Sequence, residues 1–330
     1  MKIAVIGSGA WGFSVGKVIS ENGHDVIMWS HRQKAVDDLF NNRSCYHLPG
    51  IVFPDSMKAT TSLQDALTGV DGVVLGVSSP FVNVLVDCAP FLTHKVPLLI
   101  LTKGLMDTNG DFFVSDYIKR ILGDKVSTAI LSGPNLAPEV AKQLPAATVI
   151  ASEDHETAVF FQKLCSSRYF RVYTSSDVRG VEVGGILKNV IAVASGMMDA
   201  MGLGKNATSA LISRGLNEIA KVGEFFGAKR ETFMGLSGVG DLVATCISDK
   251  SRNFQVGYHL AQMGNLEAVL NKLQFVCPEG VRTSKIIHAF AEKNNIQLPI
   301  VSAVYSVVYE GFKVEDAIYQ LMGRELRTEF

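Results

Sequence analysis

The chain has 330 residues, 47% of them apolar, and its 31 basic and 32 acidic residues leave a net charge of −1. That length exceeds one small core and favours two domains. A balance so close to neutral lacks the basic footprint that nucleic-acid binding requires.

Residues Lys2 to Ile6 read as a short apolar strand that runs directly into Gly7-Ser8-Gly9-Ala10-Trp11-Gly12. Strand, G-x-G-x-x-G turn and helix in that order form the dinucleotide-binding fingerprint. Gly7 serves the tight turn, Gly9 the approach of a pyrophosphate, and Gly12 the packing of helix on strand. The helix start then offers unpaired amides and a partial positive charge to the phosphates. The helix is predicted to end at Asn22-Gly23, with Gly23 as a left-handed cap. Asp25 to Trp29 reads as the second strand. It ends in Ser30-His31-Arg32, where NAD-binding relatives of this fold place a carboxylate about 20 residues beyond the glycines. A guanidinium in that place grips a 2′-phosphate bidentately, so Arg32 points to NADP(H) over NAD(H).

Further apolar strands are predicted at 72–77, 97–101, 127–131, 147–151 and 170–173, with helices between, including 81–92 and 112–122. Continuous apolar strands alternating with helices imply a doubly wound, mostly parallel Rossmann-type sheet covered on both faces. From about Val181 the strand signals fade and helical patterns take over, for example Ile212, Leu216, Ile219, Val222 and Phe226. The division expected is 1–179 for a dinucleotide-binding α/β domain and 180–330 for an all-α domain. The scattered cysteines (Cys45, Cys88, Cys165, Cys246, Cys277) lack C-x-x-C spacing and read as reduced thiols, which predicts a cytoplasmic location. The seven histidines form no ligand motif, so no metal is expected. No uninterrupted apolar run is long enough to cross a bilayer.

Ligands of open α/β sheets bind beyond the carboxyl ends of the strands. The residues there are Ser78-Ser79-Pro80, Thr102-Lys103-Gly104 and Ser132-Gly133-Pro134-Asn135. Lys103 is placed to meet an anionic substrate. Lys188-Asn189 interrupts the small, apolar helix 182–198. An ammonium buried there shifts toward neutrality and becomes a general acid or base; a lysine that reaches solvent from the helix is the other reading. Asp241 after Gly235-Leu236-Ser237-Gly238-Val239-Gly240 reads either as a helix cap or as a partner for a hydroxyl. Ser251-Arg252-Asn253 suits a phosphate, or a solvated turn. Pro278-Glu279-Gly280 reads as a turn closing over the cofactor.

Together these motifs, with Leu48-Pro49-Gly50, Thr102-Lys103-Gly104-Leu105 and Glu279-Gly280, resemble the bacterial-type NAD(P)-dependent glycerol-3-phosphate dehydrogenases over essentially the whole chain. The resemblance implies reversible reduction of dihydroxyacetone phosphate to sn-glycerol 3-phosphate for glycerophospholipid synthesis. It implies Lys188 as the acid/base. Substrate contacts fall on Lys103, Gly133, Asn135, Lys188, Asp241, Ser251, Arg252 and Asn253. Cofactor contacts fall on Ala10, Trp11, Arg32, Lys103, Ala137, Arg252 and Glu279, beside Gly7, Gly9 and Gly12 of the turn. Asn135 stands where many relatives carry Thr or Ser, Phe13 where a small residue is common, and the stretch before Glu279 leaves the contact open between Val276 and Cys277. The apolar helical half points to a homodimer.

Two rivals are weaker. β-Hydroxyacid dehydrogenases carry an Asn four residues after the lysine, and here that place is Ala192. An NADP-binding sensor without catalysis has no need of Lys103, Lys188 and Arg252 together.

Overall fold

The computed structural model describes residues 1–108, 111–274, 276–326 and 328–329. It divides into two compact units, Met1–Glu182 and Val183–Phe330.

The first unit is built on one eight-stranded sheet. Its strands are β1 (Lys2–Ile6), β2 (Asp25–Trp29), β3 (Met57–Thr60), β4 (Gly72–Leu75), β5 (Val96–Ile100), β6 (Val126–Ser132), β7 (Ala146–Ala151) and β8 (Phe170–Ser175). The order across the sheet is β8-β7-β6-β5-β4-β1-β2-β3, and every pair is parallel except β6 with β7. This is the doubly wound, mostly parallel Rossmann-type architecture that the alternation predicts. Two buried clusters cover the two faces. Ile3, Val5, Val74, Leu99 and Leu131 point to one side, and Ala4, Ile6, Val73, Leu98 and Ile130 to the other. Such two-sided burial is why these strands read as unbroken apolar runs rather than alternating ones.

Helix α1 (Ala10–Glu21) follows β1, and Gly23 closes it at φ +85°, the left-handed value a Cβ disfavours. Helix α2 (Gln33–Asn41) follows β2. The helix expected over 81–92 is instead a 3₁₀ turn at Ser79–Phe81, one short helix at Val84–Cys88 and a second 3₁₀ turn at Ala89–Phe91. Pro80 and Pro90, which cannot donate an intrahelical bond, sit in the two turns. Helix α3 (Val114–Leu122) occupies most of the stretch expected over 112–122, with Phe112 and Phe113 ending a preceding strand.

The second unit is helical among its described residues. Helix α4 (Val178–Ala200) begins before the division between the units and runs into it. It has the length and hydropathy of a membrane-crossing helix, but its most apolar window is 94% buried within the protein, the setting of a core helix. Helices α5 (Gly204–Phe225), α6 (Asp241–Cys246), α7 (Arg252–Met263), α8 (Glu279–Lys293) and α9 (Pro299–Tyr309) follow. The residues at 278–280 expected to form a turn are the start of α8, with Pro278 at its cap. Proline suits that place because its φ is preset and no N–H is lost.

Glu218 on α5 is buried, and its carboxylate accepts from Ile300 N–H at 2.8 Å and Val301 N–H at 3.1 Å. It therefore satisfies the open donors at the start of α9. Burial raises its pKa from 4.5 to about 7, against the lowering effect of those two bonds. The folded state thus holds this proton more tightly than the unfolded state. Its stabilising effect is complete below pH 4.5 and is lost as pH rises through 7. The destabilisation caused by Glu218→Gln, read in denaturant melts, is expected to be larger at pH 5 than at pH 8 by about 2–3 kcal/mol. A pH-independent penalty would remove the buried-carboxyl account.

Candidate active site

In the first unit, the expected ligand residues all follow carboxyl ends of parallel strands. Gly7 to Trp11 follow β1, Arg32 follows β2, Lys103 follows β5, and Gly133, Asn135 and Ala137 follow β6. The strand order reverses at β1 and β4, the switch point at which such sheets bind ligands.

The glycines there have distinct tasks. Gly7 has φ +114°, and a Cβ on it would meet Val77 Cγ1 at 2.9 Å. A Cβ on Gly12 would stand 2.9 Å from Gly7 O, and one on Gly76 would stand 2.9 Å from Gly12 Cα. Helix α1 and the end of β4 therefore meet backbone to backbone. Gly9 differs, since its Cβ would meet nothing closer than Gly76 O at 3.8 Å. Packing does not demand that glycine; an open approach over the turn explains it. No side chain caps α1, and no acidic residue lies in its first turn. The N-terminus is thus electropositive and clear.

Two buried polar atoms in this unit have no hydrogen-bond partner among the described residues: Trp11 Nε1 and Asn135 Oδ1. Leaving such groups unpaired costs about 1–3 kcal/mol each. Both belong to residues expected to touch a ligand. Asn135 is held by donation from Nδ2 to Ala147 O at 2.9 Å, so its oxygen is fixed in direction. Gly133 has φ +157°, and a Cβ on it would stand 2.9 Å from Thr148 Cα, so the loop passes closer than a side chain allows. Ala137 starts a short helix, and its carbonyl accepts from Ser14 Oγ on α1 at 2.9 Å. Lys103 is half-buried, beside Thr102, whose hydroxyl donates to Val77 O at 2.7 Å.

At the end of β2, Ser8 Oγ donates to Ser30 Oγ at 2.9 Å, and Arg32 N–H donates to the same oxygen at 3.3 Å. Arg32 is exposed and caps α2. It lines a cavity of about 240 Å³ together with Ser8, Lys34, Tyr46 and His47. No carboxylate stands at the ribose position of β2. The unpartnered Trp11 N–H, the open glycine and a cavity where Arg32 and Lys34 outnumber one acid, Asp38, fit a dinucleotide.

In the second unit, Lys188 is 8% exposed and Asp241 1% exposed. Lys188 Nζ donates to Asp241 Oδ1, and also to Thr245 Oγ1 at 2.8 Å. The lysine does not reach solvent as a snorkelling residue would. Burial alone disfavours an ammonium, while a carboxylate in contact favours it. Asp241 is the first residue of α6 rather than its cap, and its carboxylate faces the lysine. Thr245 lies one turn further along α6 and donates its own proton to Asp241 O at 2.6 Å, leaving its oxygen to accept from Lys188.

Glycines bring these helices together. A Cβ on Gly184 would lie 2.4 Å from Ser237 O, and one on Gly238 would lie 2.0 Å from Phe233 O. The turn Leu236–Gly240 before α6 is a π-helix, a form that recurs at functional sites. Helix α4 meets α7 in the same way: a Cβ on Gly196 would strike Phe254 O at 2.0 Å, and one on Gly257 would strike Val193 O at 2.0 Å. Gly184, four residues before Lys188, thus serves close packing of α4 on the turn before α6.

Ser251 caps α7, its hydroxyl accepting from Phe254 N–H at 3.4 Å, so Ser251-Arg252-Asn253 forms a helix start rather than a solvated turn. Arg252 is exposed at the first helical position. Asn253 is engaged by the protein itself, with Asn189 and Gly280. Glu279 is half-buried at the first position of α8. Of the two residues left open before it, Val276 is largely exposed and Cys277 half-buried. Sequence reasoning assigned no role to two residues here, Thr245 and Asn189, although Asn189 stands out beside Lys188 in the apolar helix. Thr245 was within reach, because the spacing Asp241–Thr245 puts both on one helix face.

Comparison with known proteins gives a consistent result. Residues 2–158 match the family model described as NAD-dependent glycerol-3-phosphate dehydrogenase N-terminus, and residues 177–319 match its C-terminus counterpart. Among curated proteins, the glycerol-3-phosphate dehydrogenase [NAD(P)+] of Bacillus pumilus is 42% identical, over 98% of this chain and 94% of its own length. That of Corynebacterium kroppenstedtii is 41% identical over 99% of both. A crystal structure of glycerol-3-phosphate dehydrogenase from Coxiella burnetii superposes with a TM-score of 0.93 at 34% identity, covering 98% of this chain and 99% of that one. The chain therefore belongs to the NAD-dependent glycerol-3-phosphate dehydrogenases, a family of oxidoreductases.

Proposed function

We propose that this chain catalyses the reversible NAD(P)H-dependent reduction of dihydroxyacetone phosphate to sn-glycerol 3-phosphate. The observation that carries this reading is the buried Lys188–Asp241–Thr245 cluster, in a chain that belongs to this family. Residues 1–179 hold the dinucleotide and 180–330 carry the acid/base. The protein works as a cytoplasmic homodimer whose product serves glycerophospholipid synthesis.

The nicotinamide, when bound, supplies the hydride. Gly7, Gly9, Ala10, Trp11 and Gly12 would hold the pyrophosphate region, with Lys103, Ala137, Arg252 and Glu279 as further contacts. Lys188 donates its proton to the carbonyl oxygen as negative charge develops there. Asp241 and Thr245 each hold Nζ, which fixes where that proton points. Ser251 and Arg252 grip the phosphate: the N-terminus of α7 adds its dipole to the guanidinium. Lys103, Gly133, Asn135 and the remaining Nδ2 proton of Asn253 complete the substrate contacts. Fixing the reacting carbon in this way supplies a large share of the rate.

NADPH is the preferred cofactor. Supporting this are Arg32, the adjacent Lys34 in the same cavity, and the missing ribose carboxylate at the end of β2.

The test is the rate of cofactor oxidation with dihydroxyacetone phosphate and with unphosphorylated dihydroxyacetone, each with NADPH and NADH. Turnover that needs the phosphate is expected, with NADPH favoured. In Arg32→Ala the NADPH:NADH ratio of kcat/KM should fall by about tenfold or more, the value of one charge-assisted contact. An unchanged ratio would remove Arg32 from cofactor choice. No turnover with the phosphorylated substrate would refute the reaction.

A further inference from the structure

Asn189, Asn253 and Gly280 form one hydrogen-bonded chain across three helices. Gly280 N–H donates to Asn253 Oδ1 at 2.9 Å, and Asn253 Nδ2 donates to Asn189 Oδ1 at 3.0 Å. A backbone N–H can only donate, so Gly280 fixes which end of the Asn253 amide faces it, and that fixes the second bond. Asn189 is buried within α4, while Asn253 and Gly280 lie in the first turns of α7 and α8. Gly280 has no room for a side chain, since a Cβ would stand 2.3 Å from Asn189 O and 2.7 Å from Asn253 Oδ1. The three helices are therefore pinned at one point by two bonds and one close backbone contact.

Each member of the chain directly follows a residue to which the proposed function assigns a task. Lys188 precedes Asn189, Arg252 precedes Asn253, and Glu279 precedes Gly280. We propose that Asn189 and Asn253 are positioning residues that couple the phosphate site at the start of α7 to the dinucleotide contact at the start of α8. This rests on the functional reading above and adds a regulatory property to it. A phosphate held by Arg252 immobilises the first turn of α7, and with it the Asn253 amide. The Gly280 N–H is then fixed, and Glu279 has less freedom left to lose when it engages the cofactor. The coupling is reciprocal: each ligand tightens the other by the same factor. Asn189, buried and anchored in α4, is the fixed end of the chain.

The experiment measures NADPH affinity by fluorescence, with and without saturating sn-glycerol 3-phosphate. Both ligands are in their reduced forms, so no turnover intervenes. In the wild-type protein the phosphate ester should tighten NADPH binding by about 5-fold or more, the lower end of usual coupling. Asn189→Ala removes the acceptor at the fixed end and keeps a good helix former. Its coupling factor should fall to within about twofold of one, a change that loss of stability alone does not produce. Asn189→Asp keeps the accepting oxygen and should retain the coupling. Asn253→Ala removes both bonds, so it should lose the coupling even if Asn189→Ala fails to fold. Binding of both ligands without coupling in the wild type, or coupling that survives Asn189→Ala or Asn253→Ala, overturns the relay and leaves the proposed function standing. A wild-type protein that binds neither ligand overturns both.

Discussion

Replacing Lys188 by alanine is expected to lower kcat by about 10²–10⁴ while leaving NADPH affinity within about twofold. The cluster around Nζ gives the reason. The ammonium is held by Asp241 and Thr245 in a site almost closed to water, so no solvent molecule takes its place in a defined direction. The residues expected to bind the dinucleotide in the first unit are untouched by the change. The loss should therefore fall on the chemical step and not on binding. Lys188→Arg is expected to recover little, because a planar fork does not present its protons where a compact ammonium does. Added methylamine should restore part of the lost rate in Lys188→Ala, in proportion to its protonated fraction. Wild-type kcat in Lys188→Ala would end the proton-donor assignment.

Much of the sheet was legible in the sequence because both its faces are covered. Strands β1, β2 and β4 to β7 are apolar over most of their length, and each was found within a few residues, as was the edge strand β8, where Phe170, Val172 and Tyr173 carry the apolar signal. Strand β3 was missed. Its sequence, Met57-Lys58-Ala59-Thr60, is half polar because it lies at the edge of the sheet beside β2 alone. The apolar face of α5 was read with its emphasis misplaced. Ile219 and Val222 are buried as expected, but Ile212, Leu216 and Phe226 are only half-buried. The other buried places on the helix belong to Leu211, Gly215, Glu218, Ala220 and Gly223. Gly215 is there because Ile191 packs against it, and Glu218 because α9 needs its first donors met. Neither reason is visible in a hydrophobic periodicity.

The site was legible where a residue departs from its surroundings. Lys188 stands out in an apolar helix, and Arg32 stands where a carboxylate is usual. What the residues touch was not legible. Asp241 had equal claims as cap and as partner until Gly184 let α4 pack against the turn that leads into α6. Asn253 read as a free amide for a phosphate, whereas its oxygen and one of its protons are taken by Gly280 and Asn189. These are long-range contacts, and local patterns carry no record of them.

Asp241→Ala is expected to destabilise the helical unit by about 3–5 kcal/mol, because it leaves the Lys188 ammonium buried without its counter-charge. Thr245 Oγ1 would still accept from Nζ, but a neutral hydroxyl does not offset the desolvation of a cation. The double variant Lys188→Met, Asp241→Leu removes both charges and fills the space with unbranched and branched apolar chains. Its stability should return to that of the wild type or exceed it by about 1–4 kcal/mol, since a buried ion pair seldom outweighs the apolar pair of equal volume. The same double variant should be inactive. Chemical denaturation of the single and double variants, followed by a probe in the helical unit, decides the matter. A single variant as stable as the wild type would show that the ammonium finds another partner or water. A double variant as unstable as the single would show that the pair serves the fold. The expected pattern, with stability restored and activity lost, means that the pair is kept for its chemistry: Asp241 makes it tolerable to hold a charged lysine where a proton has to be delivered.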